Sequence, residues 1–347
     1  MSGSSYDFVV PRDLLARDAV DRDLQLQAYF DERVASSEPD QHGDWRVTVG
    51  VPPTADFYVD PRLEEGLTWW SAGTTIAELP YSYRREKGIF IALSDVWTLL
   101  SWSEWLAGLG RYPDRVTVIH LDDHDDLMSP RLALDGDNFV DLMTGATVAL
   151  AHPVSVRNAI RSGAIGMGSF LAPFIHRLPF VDIRHLCDTG YAKLRTEPHL
   201  LVRKTQPDTL LRPAAARPAV CLLPASSGPD GSEIAGCYRA SDDAEFLFSD
   251  IPEGPVLLHI DLDFFNNRFN GNSDWAENLH RHDPTDVAVQ ERVEQVIASL
   301  EPIRHKVVDV SIGISPGFFP AELWQPVCDT LISELATPGV VSENPRM

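Results

Sequence analysis

Positive charge is what this sequence most lacks: 29 Lys and Arg face 51 Asp and Glu over 347 residues, a formal net charge of −22. Nucleic acid and anionic membranes bind through positive surfaces that displace counterions, so neither is an expected partner. A cationic substrate fits better. Long apolar runs are missing too. No stretch approaches the roughly 18 uninterrupted apolar residues of a bilayer crossing. The opening Met1-Ser2-Gly3-Ser4-Ser5-Tyr6-Asp7 lacks the basic-then-apolar order of a secretion signal. The expectation is a soluble, cytoplasmic protein. Cysteine is scarce: Cys187, Cys221, Cys237 and Cys328 are scattered with no Cys-x-x-Cys pair. That argues against a disulfide framework or a thiolate zinc site and for reduced, packed thiols.

What is present is apolar material for a large core, 44% of positions. Short β-branched runs recur at Ile89 to Leu93, Val116 to Leu121, Val181 to Leu186, Val256 to Leu262 and Val307 to Ile312. Stretches of helical character lie between them: Val96 to Leu109, Ser169 to Leu178, Pro284 to Leu300 and Pro320 to Leu335. Alternating strands and helices, with strands apolar on both faces, predict an α/β fold with a mostly parallel sheet sandwiched between helix layers. One domain is expected over residues 1–336, with an N-terminal elaboration over 1–88 and a frayed tail over 337–347. The Pro-rich insertion 203–236 reads as mostly loop, with one strand at Ala219 to Leu223.

The chemistry sits at the ends of two strands. Val118-Ile119-His120-Leu121-Asp122-Asp123-His124-Asp125-Asp126 runs from an apolar strand into four carboxylates and an imidazole. In extended chain every second side chain shares a face, so Asp122, His124 and Asp126 are expected on one side and Asp123 and Asp125 on the other. Val256-Leu257-Leu258-His259-Ile260-Asp261-Leu262-Asp263 repeats the pattern with Asp261 and Asp263. Ligands in open parallel sheets bind beyond the carboxyl ends of strands. Adjacent buried acids repel one another unless a cation sits among them. A solvated acidic turn is the bland reading of either motif, whereas the two together predict a metal site. Four carboxylates and one imidazole without a thiolate favour Mn²⁺ or Mg²⁺ over structural zinc, and bridging carboxylates suit two ions and a hydrolysis.

With these motifs on two strands, the chain resembles the arginase and deacetylase superfamily. More closely it is similar to the arginase-like family that includes peptide arginases of ribosomal natural-product pathways. Softer likenesses at Ile165-Gly-Met-Gly-Ser-Phe-Leu-Ala-Pro173, His259 to Arg268 and Ser315-Pro-Gly-Phe-Phe319 extend the resemblance over about residues 89–320. The resemblance implies a three-layer αβα sandwich and a centre of two Mn²⁺ ions. It implies hydrolysis of arginine side chains in a precursor peptide to ornithine and urea. Carried over by motif, Asp122 and Asp261 would bridge the ions, Asp126 would complete one, and His124 with Asp263 the other. A homo-oligomer is possible. The competing readings are a deacetylase-like amidohydrolase with a single ion, and a non-catalytic, metal-stabilised protein that captures a basic peptide.

The sequence also departs from the arginase pattern. Where arginases carry a further histidine ligand, this chain has Leu93-Ser94-Asp95-Val96. Either Asp95 substitutes as a ligand, water fills the position, or one metal alone is held; the ordinary role for Asp95 is a helix N-cap. Near the last strand Ile312-Gly313-Ile314-Ser315-Pro316 offers no carboxylate for a guanidinium. His152 is a candidate proton shuttle, weighed against a histidine at a helix start. Asn266, Asn267 and Asn270 either cap turns or support ligands, and Arg268 reads as a surface ion pair. His280-Arg281-His282-Asp283 reads as exposed loop. Trp69, Trp70, Tyr81 and Tyr83 are core residues or the wall of a peptide groove. Gly163, Gly166 and Gly168 do not form a dinucleotide fingerprint.

Overall fold

Every residue of Val116–Leu121 is buried, and its side chains alternate between two separate apolar cores. Val116 and Val118 enter one core and Ile119 and Leu121 the other, as a strand covered on both faces requires. The computed structural model describes residues 5–30, 34–50, 58–228, 233–278 and 283–336. In chain order the first elements are β1 (Ser5–Val10), α1 (Ala19–Tyr29), β2 (Ala35–Pro39), β3 (Trp45–Gly50) and α2 (Leu63–Trp70). Next come β4 (Tyr83–Glu86), β5 (Ile89–Ala92), α3 (Thr98–Leu109) and β6 (Val116–Leu121). A small meander, β7 (Leu132–Asp135), β8 (Asn138–Asp141) and β9 (Thr147–Val148), leads to α4 (Pro153–Ser162), α5 (Leu171–Arg177), β10 (Val181–Leu186) and α6 (Thr189–Leu194). The chain continues through β11 (His199–Pro207), β12 (Ala216–Pro224), β13 (Ile234–Ser241), α7 (Ala244–Phe248) and β14 (Val256–Asp261). It closes with α8 (Asp286–Leu300), β15 (Val307–Gly313) and α9 (Trp324–Leu335).

The central sheet has nine strands in the order β12-β11-β13-β10-β6-β14-β15-β5-β4. Strands β13 through β5 in that order run parallel, and antiparallel strands finish both edges. Helices α3, α4 and α5 pack into one core, and α2, α7, α8 and α9 into the other. The expected mixed α/β fold with a mostly parallel sheet is therefore present. From β6 the chain moves outward to β10 and β13, then returns to the other side of β6 with β14. The two acid-tipped strands thus flank the point where the winding direction reverses, where ligands of open α/β sheets bind. Among the described residues no helix is long and apolar enough to cross a membrane.

One expectation needs correction. Residues 203–236 are not mostly loop: β11 and β12 pair antiparallel over their full lengths and extend the sheet. The prolines are tolerated because β12 is the edge strand, where a missing N–H breaks no inner ladder. The first residues form a separate three-stranded sheet in the order β1-β3-β2. A buried polar network ties α1 to the main sheet's surroundings. Tyr29 donates to Asp208 at 2.7 Å, Arg131 reaches the Tyr29 carbonyl at 2.7 Å, and Arg217 donates to the Ser129 carbonyl at 2.6 Å. Trp70 is buried, and Tyr83 stacks on Phe90 with Trp97 beside it, so these two serve the core. All four cysteines are free, Cys187 and Cys328 buried. The tail 337–347 lies outside the described residues.

Candidate metal centre

The first acidic motif leaves the strand at once. Asp122 Oδ1 accepts the His124 N–H at 2.7 Å, which folds residues 122–124 into a tight turn, and Asp126 takes a left-handed φ of 50°. The second motif does the same, with Asp261 Oδ1 accepting the Asp263 N–H at 3.0 Å at the start of a 3-10 turn over Leu262–Phe264. Strand alternation therefore does not sort these side chains. Asp123 and Asp125, expected on the opposite side, border the same cleft as Asp122, His124, Asp126, Asp261 and Asp263. A turn gathers neighbours that an extended chain would separate.

The two motifs meet in space. His124 Nδ1 lies 3.1 Å from Asp263 Oδ2 and 3.4 Å from Asp122 Oδ1, and the Asp123 N–H reaches Asp263 Oδ1 at 3.3 Å. Asp122, His124 and Asp263 place ligand atoms within 4.8 Å of one another. Asp95 joins them from β5. Its N-cap role is absent, because Ser94 occupies the cap and Asp95 begins a 3-10 turn with its side chain buried beside the cleft. Gly313 makes this possible: a Cβ there would stand 3.0 Å from Asp95 Cα and Cβ and 3.4 Å from Asp261 Oδ2. Val96 is buried among apolar neighbours.

Beneath the motifs lies a ladder of three fully buried histidines in register on adjacent strands: His185 on β10, His120 on β6 and His259 on β14. A carbonyl only accepts, so His120 Nε2 donates to the His124 carbonyl at 3.1 Å, and its Nδ1 then accepts from His259 Nδ1 at 2.8 Å. His185 Nε2 likewise donates to the Asp122 carbonyl at 3.0 Å. Buried imidazoles thus hold the backbone of the acidic turn, and burial keeps them neutral, lowering His185 to about 4 and His259 to about 3. Only strand register reveals this support. The side chains of the outer acids are also held: Asn267 donates to Asp123 Oδ2 at 2.7 Å, and Tyr191 donates to Asp125 Oδ2 at 2.8 Å. Asn267 also accepts the Asn270 N–H, so it is a turn residue and a support at once. Ser315, at φ 51°, donates to Asp261 Oδ2.

Crowding these acids raises their pKa values. Burial, then the charges of Asp263 and Asp261, lifts Asp122 well above the usual carboxylate range. Burial, then Asp122 and Asp95, does the same for Asp126, and burial, then Asp263 and Asp95, for Asp261. Burial leads in pushing Asp95 and Asp123 to about 6. Burial opposes a charge on His124, yet its hydrogen bonds and charge contacts with Asp122 and Asp263 outweigh it and raise its pKa. The imidazolium is the internal cation of an acid-rich pocket. Asp122 Oδ2 and Asp126 Oδ2 are buried with no hydrogen-bond partner among the described residues. Orphaned, repelling oxygens around one imidazole are a donor set for a hard or borderline divalent cation, and the residues fit one.

His152 does not belong here. It is exposed, and its Nδ1 caps α4 by accepting the Ser155 N–H at 3.2 Å. The expected result for His152→Ala is a loss of about 1 kcal/mol of stability by thermal unfolding, as for other N-caps, with metal binding unchanged; a drop in metal affinity would contradict this placement. Arg268 pairs with Asp283 and Glu322, as an ion pair away from the cleft. The stretch His280-Arg281-His282 lies outside the described residues. Neither a scan against protein-family models nor a search of curated proteins finds a match for the chain.

Proposed function

We propose that the protein is a metal-dependent hydrolase of the arginase and deacetylase type, a three-layer αβα sandwich that converts arginine side chains of a peptide to ornithine with release of urea. One observation carries the reading: Asp122, His124 and Asp126 after β6 converge with Asp261 and Asp263 after β14 at the switch point of the sheet. Asp95 supplies the donor that Val96 cannot, so the set has six side chains, enough for two Mn²⁺ ions. When bound, such ions supply a water acidic enough to attack at neutral pH and a counter-charge for the transition state.

The chain's own residues do the rest. Asp122 and Asp261, each folded onto the N–H two residues on, present their second oxygens inward. Two wall carboxylates lie outside that donor set: Asp123, whose Oδ2 is held by Asn267, and Asp125, which is assigned to the substrate. Asp125 Oδ2 takes the Tyr191 hydroxyl at 2.8 Å, Leu127 N–H stands 3.4 Å from Oδ1, and no described cation pairs with it. A permanently charged guanidinium suits such a carboxylate. Asp125→Asn is expected to raise KM for an arginine peptide by about tenfold or more, from loss of one charge-assisted hydrogen bond, with metal content intact. An unchanged KM removes Asp125 from the substrate's path.

The reading is tested by incubating the protein with Mn²⁺ and arginine-containing peptides and measuring mass. Hydrolysis predicts a loss of about 42 Da per converted arginine. Acetate released from acetyl-lysine peptides instead would turn the reading to amide hydrolysis, and tight binding of basic peptides with no product would leave a binding protein.

A further inference from the structure

The acidic cleft, about 540 Å³ in volume, has a neighbour. A side pocket of about 90 Å³ shares Asp95, Met167, Ser315 and Phe318 with it, so the two adjoin across these residues. The side pocket has a different chemistry. Beyond the shared boundary its walls are mainly apolar, with Leu79 and Tyr81 from the 3-10 segment Ile76–Tyr81, Ile160 from α4, and Ile165, while Ser94 and Tyr58 add polar groups. Asp95, on the boundary, is its one charged lining residue among the described residues.

An apolar hollow left unfilled costs stability, because its walls forgo dispersion contacts. This one is framed by regular elements on two sides. At its lip Met167 is 38% exposed, and across the cleft Met128 is 57% exposed. Flexible thioether side chains around a charged opening are adaptable contacts for a partner's apolar groups.

We infer that this side pocket is a substrate subsite that receives a small aliphatic side chain, Val, Ile or Leu, from the same peptide whose arginine enters the acidic cleft. The inference rests on the hydrolase reading above and narrows its substrate to an arginine with an aliphatic neighbour, as opposed to the free amino acid. Size supports this occupant: a cavity of roughly 150 Å³ accepts benzene, so 90 Å³ takes an aliphatic group of three or four carbons. Charge supports it too. An acidic neighbour would face Asp95 and the carboxylates behind it, and a lysine would lose hydration against apolar walls. Side chains of an extended peptide share a face at every second residue, roughly 6.5 to 7 Å apart. The aliphatic residue is therefore placed two positions from the arginine.

The test is a peptide series with one arginine and Gly, Val, Leu, Asp or Lys placed in turn at each position within two residues of it. Both kcat/KM for ornithine formation with Mn²⁺ and the dissociation constant for the metal-free protein are read. The expected result is a preference for Val or Leu over Gly, at one of the positions two away, of about tenfold or more, as three or four extra carbons in a fitted pocket confer. Asp and Lys fall below Gly there. In Ile160→Phe, which narrows the pocket, the ratio of Val to Gly falls toward one; should that variant not fold, the wild-type series decides alone. A flat response in both turnover and binding at all positions overturns the subsite while leaving the hydrolase intact. Preference in binding with no peptide converted leaves the subsite standing and removes the hydrolysis.

Discussion

Replacing Asp261 by alanine is expected to abolish metal binding and turnover together. Asp261 ends β14 between the two halves of the site: it accepts the Asp263 N–H at 3.0 Å and the Ser315 hydroxyl, and Gly313 opens the space beside it for Asp95. No other carboxylate on β14 can replace it, because Ile260 faces the opposite core. The loss should exceed the 10- to 100-fold fall in metal affinity expected for removing a supporting residue such as Ser315, which donates to Asp261. A second readout separates this from general damage. Saturating Mn²⁺ should stabilise the wild-type protein by about 2.7 kcal/mol at a hundredfold excess over Kd, and this thermal shift should vanish in the variant. Without metal the variant should melt no lower than the wild type, since one of several mutually repelling buried acids is gone. A variant that keeps two metals and full rate would remove Asp261 from the site.

The strands that carry the acids were legible in the sequence because they are buried on both faces. Val116–Leu121 has the predicted bounds, and Val256–Asp261 differs by one residue. Helix starts were read early at Val96 and Pro320, where the chain first makes 3-10 turns before Thr98 and Trp324. The Pro-rich hairpin was illegible because proline content reports a missing donor and not whether a neighbour needs it; only the sheet order shows β12 at an edge. Within the site, the meeting of the two acidic motifs could be read from spacing, yet the sides of their side chains could not, since Asp122 and Asp261 bend the chain with their own side chains. The histidine ladder, the Tyr191 clamp on Asp125 and the arrival of Asp95 beside Asp261 all depend on pairing between distant segments. His185 reaches Asp122 across 63 positions and Tyr191 reaches Asp125 across 66, which no local pattern encodes.

The pH dependence of the metal-free protein follows from the same crowding. Asp122, Asp126 and Asp261 have folded pKa values well above their ordinary one, and Asp95 and Asp123 lie at about 6. For each, the folded state binds protons more tightly than the unfolded chain. Their stabilising contribution is complete below about pH 4 and is lost as pH rises through the folded values. His120, His185 and His259 act in the opposite sense: depressed in the fold, they contribute above about pH 6.5 and lose that contribution as pH falls toward 4 and 3. His124 is raised, so its contribution also weakens as pH climbs past the unfolded imidazole value. Between about pH 7.5 and 8.5 the ladder histidines are neutral in both states, leaving only groups that destabilise with rising pH. The metal-free protein is therefore expected to lose stability across that window, by about 1.4 kcal/mol per pH unit for each proton retained by the fold. A divalent cation takes the place of those protons, so binding must expel them, His124's included. Calorimetry of Mn²⁺ binding at pH 7 in buffers of different ionisation enthalpy should report more than one proton released per chain, and the Mn²⁺-induced rise in Tm should be larger at pH 8 than at pH 6. A proton count of zero with a pH-independent shift would mean that the ion binds somewhere other than among these carboxylates.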